Sequence, residues 1–274
     1  LSRIFDAHVH LSEDSRDELI PYAKVNGLEY NLEELLRLMR ENGITGGLLL
    51  SPPIKGGAPL PNERILDLCG RSGGLLSPIL TVEHSSSSVV DAVDLARRNK
   101  EAVKGFKIRL GYLKVFADDP AYDRLYDYAE SEDLPVMFHT GDTASQDGSL
   151  EHSHPLTLDR LANERAGLKL VACHFGNPWI ADVGELIYKH PNFYADISGL
   201  VVSGSKYETG YLESVAEQVT RAIYFAGGAE KVIFGTDYPV STPALALALL
   251  DKLRIDADDK PKILWRNAAK VFRV

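Results

Sequence analysis

The strongest constraint on the fold is a recurrence. Eight short apolar segments, separated by helical patterns, run the length of the chain: RIFDAHVH (3–10), ITGGLLLS (44–51), GLLSPILTVE (74–83), AVKGFKIRL (102–110), LPVMFHTGD (134–142), LKLVACHFG (168–176), NFYADISG (192–199) and KVIFGTDYP (231–239). Near-continuous apolar runs of this length predict strands of a parallel sheet buried on both faces. Between them, Leu32, Leu35, Leu36 and Met39 fall at i, i+3, i+4, i+7, one face of a helix, with Asn31 and Glu34 as a capping box and Gly43 as its stop. The same spacing recurs at Tyr122, Leu125, Tyr126 and Ala129, and at Leu212, Val215, Ala216 and Val219. Thr242 and Pro243 open another helix, and WRNAAKVF closes the chain as the last. Eight strand–helix units in 274 residues predict an α/β protein, a (β/α)8 TIM barrel forming one domain over 1–274. A doubly wound sheet is the alternative, but no GxGxxG follows the first strand.

In such a barrel the chemistry lies at the carboxyl ends of the strands. The polar residues that fall there are Asp6, His8 and His10, then Lys107 and Arg109, His139 with Asp142, His174, Asp196 with Ser198, and Asp237. Alternation with period two puts Asp6, His8 and His10 on one face, and Lys107 with Arg109 on another. Burying this many ionisable groups together without an ion is costly. Imidazoles and carboxylates suit Zn²⁺, with Mn²⁺ or Fe²⁺ as alternatives. Such an ion lowers the pKa of a bound water to about 7. A carboxylate then takes the proton, and a histidine polarises the substrate or protonates the leaving group. The residues therefore point to metal-assisted hydrolysis or related carbonyl chemistry. His84, His152, His154 and His190 read as structural histidines, His190 at the opposite end of the barrel. Asp196 either holds a histidine or closes the barrel top. Polar loops at about 11–30, 143–154 and 200–211 are expected to build the substrate pocket, with Tyr22, Tyr30, Gln146, Tyr207 and Tyr211 among their residues.

A formal net charge of -9 argues against a general nucleic-acid binder but leaves room for a local pocket that takes a small anion. Cys69 and Cys173 stand far apart in apolar runs and read as reduced core residues of a cytosolic protein. No run reaches the length of a membrane span, and the start lacks a basic-then-apolar leader. The expected partner is a small-molecule substrate, in the cytoplasm, without nucleic acid or membrane; association into a homo-oligomer is left open.

DAHVH, FHTGDT, ACHFG and FGTDYP, at the ends of the first, fifth, sixth and eighth segments, together resemble the amidohydrolase superfamily. More narrowly, with WRNAAKVF as the last helix, they resemble the amidohydrolase-related branch that includes aminocarboxymuconate-semialdehyde decarboxylase. The resemblance implies that His8 and His10 bind a metal, with His139 and Asp237 completing the shell. It makes His174 the acid/base beside the ion and Asp237 the group that orients or deprotonates its water. Binuclear members of the superfamily carry a carboxylated lysine at about the place of Lys107, so a second ion held by Lys107 with His139 and His174 is the alternative to one. With one ion, Lys107 faces the substrate as an ammonium, and Arg109 either joins it on a carboxylate or forms a salt bridge at the rim. Asp6, one layer deeper, is expected to orient His8. The implied activity is hydrolysis of an ester, lactone, amide or related bond in a small molecule. Non-oxidative decarboxylation is the second reading, and a non-catalytic barrel the third.

Overall fold

The computed structural model describes residues 3–54 and 59–274. Eight strand positions run in chain order: β1 (Ile4–His10), β2 (Ile44–Leu50), β3 (Leu76–Pro78, resumed at Leu80–Thr81), β4 (Phe106–Ile108), β5 (Pro135–Phe138), β6 (Lys169–Ala172), β7 (Phe193–Asp196) and β8 (Val232–Ile233). Each pairs in parallel with the next. The break in β3 has a local cause, since Pro78 brings no N–H to the ladder. Leu76–Pro78 pairs with β2, and Leu80–Thr81 pairs with β4. Ile79 spans the change, its N–H donating to Leu49 O at 3.0 Å. The circle closes between the last strand and the first. Ala7 N donates to Phe234 O (2.9 Å), Asp237 N to His8 O (2.8 Å) and His10 N to Tyr238 O (2.9 Å). The fold is the expected TIM barrel.

In two of the eight runs, the sixth and the eighth, the chain leaves the strand through left-handed backbone. His174 (φ 60°), Phe175 (φ 46°) and Asp237 (φ 62°) adopt left-handed backbone. That conformation is costly for residues with a Cβ, and it takes them out of the strand alternation.

The helices form where the sequence pattern placed them. Asn31 caps Leu32–Glu41, its Oδ1 accepting from Glu34 N at 2.9 Å. The reciprocal half of the box is not made, because Glu34 pairs with Arg37 instead (2.7 Å). Thr242 caps Pro243–Lys252 and Ser85 caps Ser86–Arg98 in the same way. The closing pattern is a helix of two parts, a π-turn at Lys262–Arg266 and an α-turn at Asn267–Phe272. No helix among the described residues is long and apolar enough to cross a membrane.

The apolar side chains divide into layers. Phe106, Phe138, Val136 and Tyr126 pack between strands and outer helices. Phe5, Leu48, Met137, Val171 and Ile233 fill the barrel interior, together with Ala268, Val271 and Phe272 from the closing helix. That helix covers the amino-terminal end, where Lys104 Nζ donates to Arg273 O (3.2 Å) and Lys169 Nζ to Val271 O (3.5 Å). The carboxyl end is left to the long loops, which carry short helices at Ile20–Val25 and Leu150–Ser153 and the start of Glu208–Ala226. Phe272 is fully buried in this plug. Phe272→Ala is expected to lower stability by about 3–5 kcal/mol in urea unfolding, with the denaturant slope unchanged.

Candidate metal centre

A cleft of about 580 Å³ opens at the carboxyl end of the barrel. His8, His10, Lys107, Arg109, His139, His174 and Asp237 all line it. The fold thus brings together, in one cavity, the candidates that the sequence offered from β1, β4, β5, β6 and β8, with the exception of Asp6.

Among the described residues, two sets of possible ligand atoms share His8: one with His174 and Asp196, whose atoms are engaged in hydrogen bonds, and one with His10 and Asp237 at the cleft. Ligand atoms of His8, His10 and Asp237 lie within 4.8 Å of one another. His10 Nε2 is 3.1 Å and His8 Nε2 is 3.5 Å from Asp237 Oδ1. The other nitrogen of each ring identifies the lone pairs. His10 Nδ1 lies 3.1 Å from Leu50 O, which only accepts, so Nδ1 carries a hydrogen and, in the neutral ring, Nε2 is bare. His8 Nδ1 lies 3.0 Å from Asp196 Oδ2, and its buried Nε2 has no hydrogen-bond partner. Burial, reinforced by the nearby Lys107 charge, lowers the His8 pKa to about 4, so the ring is neutral. Two bare imidazole nitrogens and a carboxylate oxygen therefore face one another, an arrangement that repels unless a cation lies between them. This donor set suits a divalent transition metal. Burial opposes ionisation of Asp237, and only a proton on His174, His10 or His8, or a cation in its place, holds the carboxyl well below its usual range.

His139 stands at the same mouth but outside this tight set. Its Nε2 lies 2.9 Å from Asp142 O and so carries the hydrogen, which leaves Nδ1 as its lone-pair atom. Burial, then His174 and Lys107, keep the ring neutral. The His174 ring bridges the group, 4.9 Å from the rings of both His8 and His139.

The residue that holds His8 is Asp196, from β7, and not Asp6. Asp196 is fully buried and accepts His8 Nδ1 on Oδ2 and His174 N (2.9 Å) on Oδ1. Burial works against its charge, but His8 and the other donors hold it far below the usual carboxylate range. Asp6 accepts from Thr236 N (2.9 Å), Thr236 Oγ1 (2.7 Å) and His8 N (3.2 Å), and makes no bond to the His8 ring. The ladder of β1 on β2 shifts register between Asp6 and Val9, so strict alternation fails across the very residues to which it was applied. Asp6 ties β1 to the turn after β8.

Two glycines give the centre its room. A Cβ on Gly199 (φ 62°) would meet Asp237 Oδ2 at 2.6 Å and His174 Nδ1 at 3.1 Å. One on Gly235 would meet the Cβ atoms of His8 and Ser198, each at 3.0 Å.

The two cations of β4 differ. Lys107 is buried, and its Nζ lies 2.8 Å from the thiol of Cys173, a free cysteine in the barrel interior. Arg109 makes the rim salt bridge, its NH2 donating to Glu83 Oε1 at 3.0 Å, while its Nε is buried without a partner. Of the loop residues, Tyr22, Tyr207 and Tyr211 line the cleft, but Tyr30 and Gln146 do not; Tyr30 packs on Tyr238. His84, His152, His154 and His190 also lie outside the cleft. His190 Nε2 is held by Asp159 (2.7 Å), and His152 Nδ1 by Ser149 (2.7 Å). Sequence reasoning missed Tyr112, which packs on His139, and Asn177, which bonds Tyr211 across the mouth (2.9 Å). Neither belongs to a pattern that marks it. It also missed Cys173, just past the end of β6, as the neighbour of Lys107 in the barrel interior.

Comparison with known proteins adds to this geometry. The family model Amidohydrolase matches residues 5–274. No curated protein matches the chain. Among solved structures, an uncharacterized TIM-barrel protein from Bordetella bronchiseptica is similar at TM-score 0.77 and 17% identity, over 99% of this chain and 98% of that one. A probable 2-pyrone-4,6-dicarboxylic acid hydrolase from Acinetobacter baumannii, with citric acid bound, gives 0.70 and 20% over 99% and 100%. A dihydroxybenzoic acid decarboxylase from Polaromonas, with bound manganese and the inhibitor 2-nitroresorcinol, gives 0.67 and 17% over 100% and 97%. At these identities the likeness is one of fold.

Burial pushes the Asp6 pKa up from 3.8 to about 7, against the Thr236 hydrogen bonds. The folded chain therefore keeps a proton on Asp6 between pH 4 and 7 that the unfolded chain has lost. The stability this group contributes is full below about pH 4 and is lost as pH rises to about 7. Asp6→Asn, neutral throughout, is expected to gain on the wild type across that window and to hold a constant lead above it. Urea unfolding at about pH 4.5, 6 and 8 measures this; a lead that does not change with pH would mean that Asp6 is ionised in the fold throughout.

Proposed function

The chain belongs to the amidohydrolase family, and from that premise we propose that it is a metal-dependent hydrolase of an ester, lactone, amide or related bond in a small carboxylate-bearing molecule. The observation that carries this reading is the convergence of His8 Nε2, His10 Nε2 and Asp237 Oδ1 on one point beneath an open cleft. These three atoms would hold the ion, with His139 Nδ1 as the candidate fourth donor. When bound, a divalent ion supplies Lewis-acid polarisation of a substrate oxygen and makes water acidic enough to attack at neutral pH. Zn²⁺ is the first candidate, since nitrogen-rich sets with one carboxylate suit it. Mn²⁺ is the second, supported by the manganese in the Polaromonas protein. One ion is favoured over two because the Lys107 amine is engaged with Cys173 as a donor.

The chain's own residues divide the remaining work. Asp237 Oδ2, the oxygen turned away from the two imidazoles, accepts the proton of the attacking water. His174, neutral at rest and placed between His8 and His139, takes the proton gathered by Asp237 on its free ring nitrogen and passes it to the leaving group. Lys107, with Arg109 beyond it, draws the substrate carboxylate to the β4 wall. Tyr22, Tyr112, Tyr207 and Tyr211 wall the mouth and limit the entry of bulk water. The Acinetobacter likeness, named for a dicarboxylic acid hydrolase, supports a carboxylate substrate. The second reading is non-oxidative decarboxylation, in which the same His174 protonates carbon as CO₂ leaves. The Polaromonas likeness, named for a decarboxylase, favours it. A net charge of -9 supports a small-molecule partner over nucleic acid, and two free buried cysteines support a reducing cytoplasm. The exposed Tyr188, Tyr224 and Phe225 are compatible with a homo-oligomer.

Metal analysis of the purified protein is expected to find one transition-metal ion per chain; none would overturn both readings, and two would restore the Lys107-bridged alternative. Asp237→Asn should lower kcat on the order of 10³-fold or more while the fold is retained, as followed by circular dichroism. Dihydrocoumarin and aryl esters test hydrolysis, and CO₂ release from hydroxybenzoic acids tests decarboxylation. Lys107→Gln should raise KM for a carboxylate substrate by about 10–100-fold, the equivalent of one charge-assisted hydrogen bond, with a smaller effect on a neutral ester.

A further inference from the structure

Ser198 lies two residues beyond Asp196, the last residue of β7, fully buried, and its hydroxyl meets three groups of the centre at once. Its Oγ is 2.5 Å from Asp196 Oδ1, 3.1 Å from His8 Nδ1 and 3.0 Å from His174 Nδ1. An inventory of hydrogens assigns the directions. Asp196 Oδ1 already accepts two backbone donors whose hydrogens are fixed, His174 N (2.9 Å) and Ser198 N (3.1 Å). Oδ1 is therefore an acceptor, and the hydroxyl gives it its single hydrogen. Towards both imidazoles Ser198 Oγ then has only lone pairs to offer. His174 Nδ1 faces that oxygen and Ser198 O (3.2 Å), both acceptors, so its hydrogen sits on Nδ1 and Nε2 is bare. His8 Nδ1 gives its hydrogen to Asp196 Oδ2.

We propose that Ser198 is a positioning residue, the hydroxyl through which one Asp196 carboxylate fixes the rings of His8 and His174 together. This rests on the reading of the centre given above, and it goes beyond it by coupling the ring that holds the ion to the ring that moves the proton. The coupling has a selective consequence. His10 takes its orientation from Leu50 O and His139 from Asp142 O, and neither bonds Ser198. Removal of the hydroxyl should disturb two of the four imidazoles and spare the other two, whereas general loosening of the centre would disturb all four.

The test is long-range ¹H–¹⁵N correlation of the ring nitrogens in the full-length zinc-loaded protein. The wild type is expected to show His174 protonated on Nδ1. In Ser198→Ala the ring-nitrogen resonances of His8 and His174 should move, those of His10 and His139 should stay, and Ser198→Thr, which keeps the hydroxyl, should restore the wild-type pattern. Zinc content should remain at one per chain, since the His8–Asp196 bond survives, while turnover of dihydrocoumarin falls about 10–100-fold. A wild-type His174 protonated on Nε2 would overturn the proposal without need of any variant. So would an Ala variant in which all four rings move, or none. Absence of dihydrocoumarin turnover in the wild type would count against the hydrolase reading alone, because the resonances report on Ser198 without a substrate.

Discussion

The mouth of this barrel is organised around a repulsion that a cation would relieve. His8 Nε2, His10 Nε2 and Asp237 Oδ1 lie within 4.8 Å of one another, and the Nδ1 hydrogens of the two rings are spent elsewhere, on Asp196 and Leu50. The two histidines come from the first strand and the aspartate from the turn after the last. Their approach is the closure of the barrel itself: Asp237 N donates to His8 O, and His10 N accepts its place by donating to Tyr238 O. A cation at this point therefore stabilises the seam as well as the charge, and binding energy there is also folding energy.

The surroundings hold these groups in costly states. Asp237 sits in left-handed backbone, His8 is a fully buried neutral ring, and Asp196 is a fully buried carboxylate. Each is supported by bonds from a different strand: Asp196 from β7 takes His8 of β1 and the backbone of His174 after β6. Such support is what keeps a functional geometry from relaxing. The closing helix bears none of this; its apolar face plugs the other end.

The barrel and the histidines of the cleft were legible because both rest on short-range patterns. Eight apolar runs gave the strands, and HxH on one face gave His8 and His10. What the sequence did not disclose depends on contacts between distant strands or on backbone that breaks the pattern. Period two assigned Asp6 to the His8 face, but a register shift turned it to Thr236, and Asp196, 188 residues away, took its place. His174 and Asp237 were named correctly as cleft residues, yet they reach it through left-handed turns that no alternation describes. Arg109 was placed on the Lys107 face, but its partner, Glu83, belongs to the neighbouring strand's loop. Ser198 gave no signal at all, since a serine acquires its meaning here only from three neighbours that folding supplies.

Gly199 and Gly235 carry a consequence for how such an enzyme can change. Neither touches a substrate, yet a single added carbon at either would press on Asp237, His174 or His8. The floor of the cleft is thus closed to gradual variation: its atoms are fixed from below by Asp196 and from the side by two absent side chains. The tyrosines of the mouth stand on loops, and Tyr207 is 70% exposed. Drift in sequence can reshape what enters the cleft without reaching the atoms that act on it, so substrate range and reaction chemistry are inherited on separate parts of the chain.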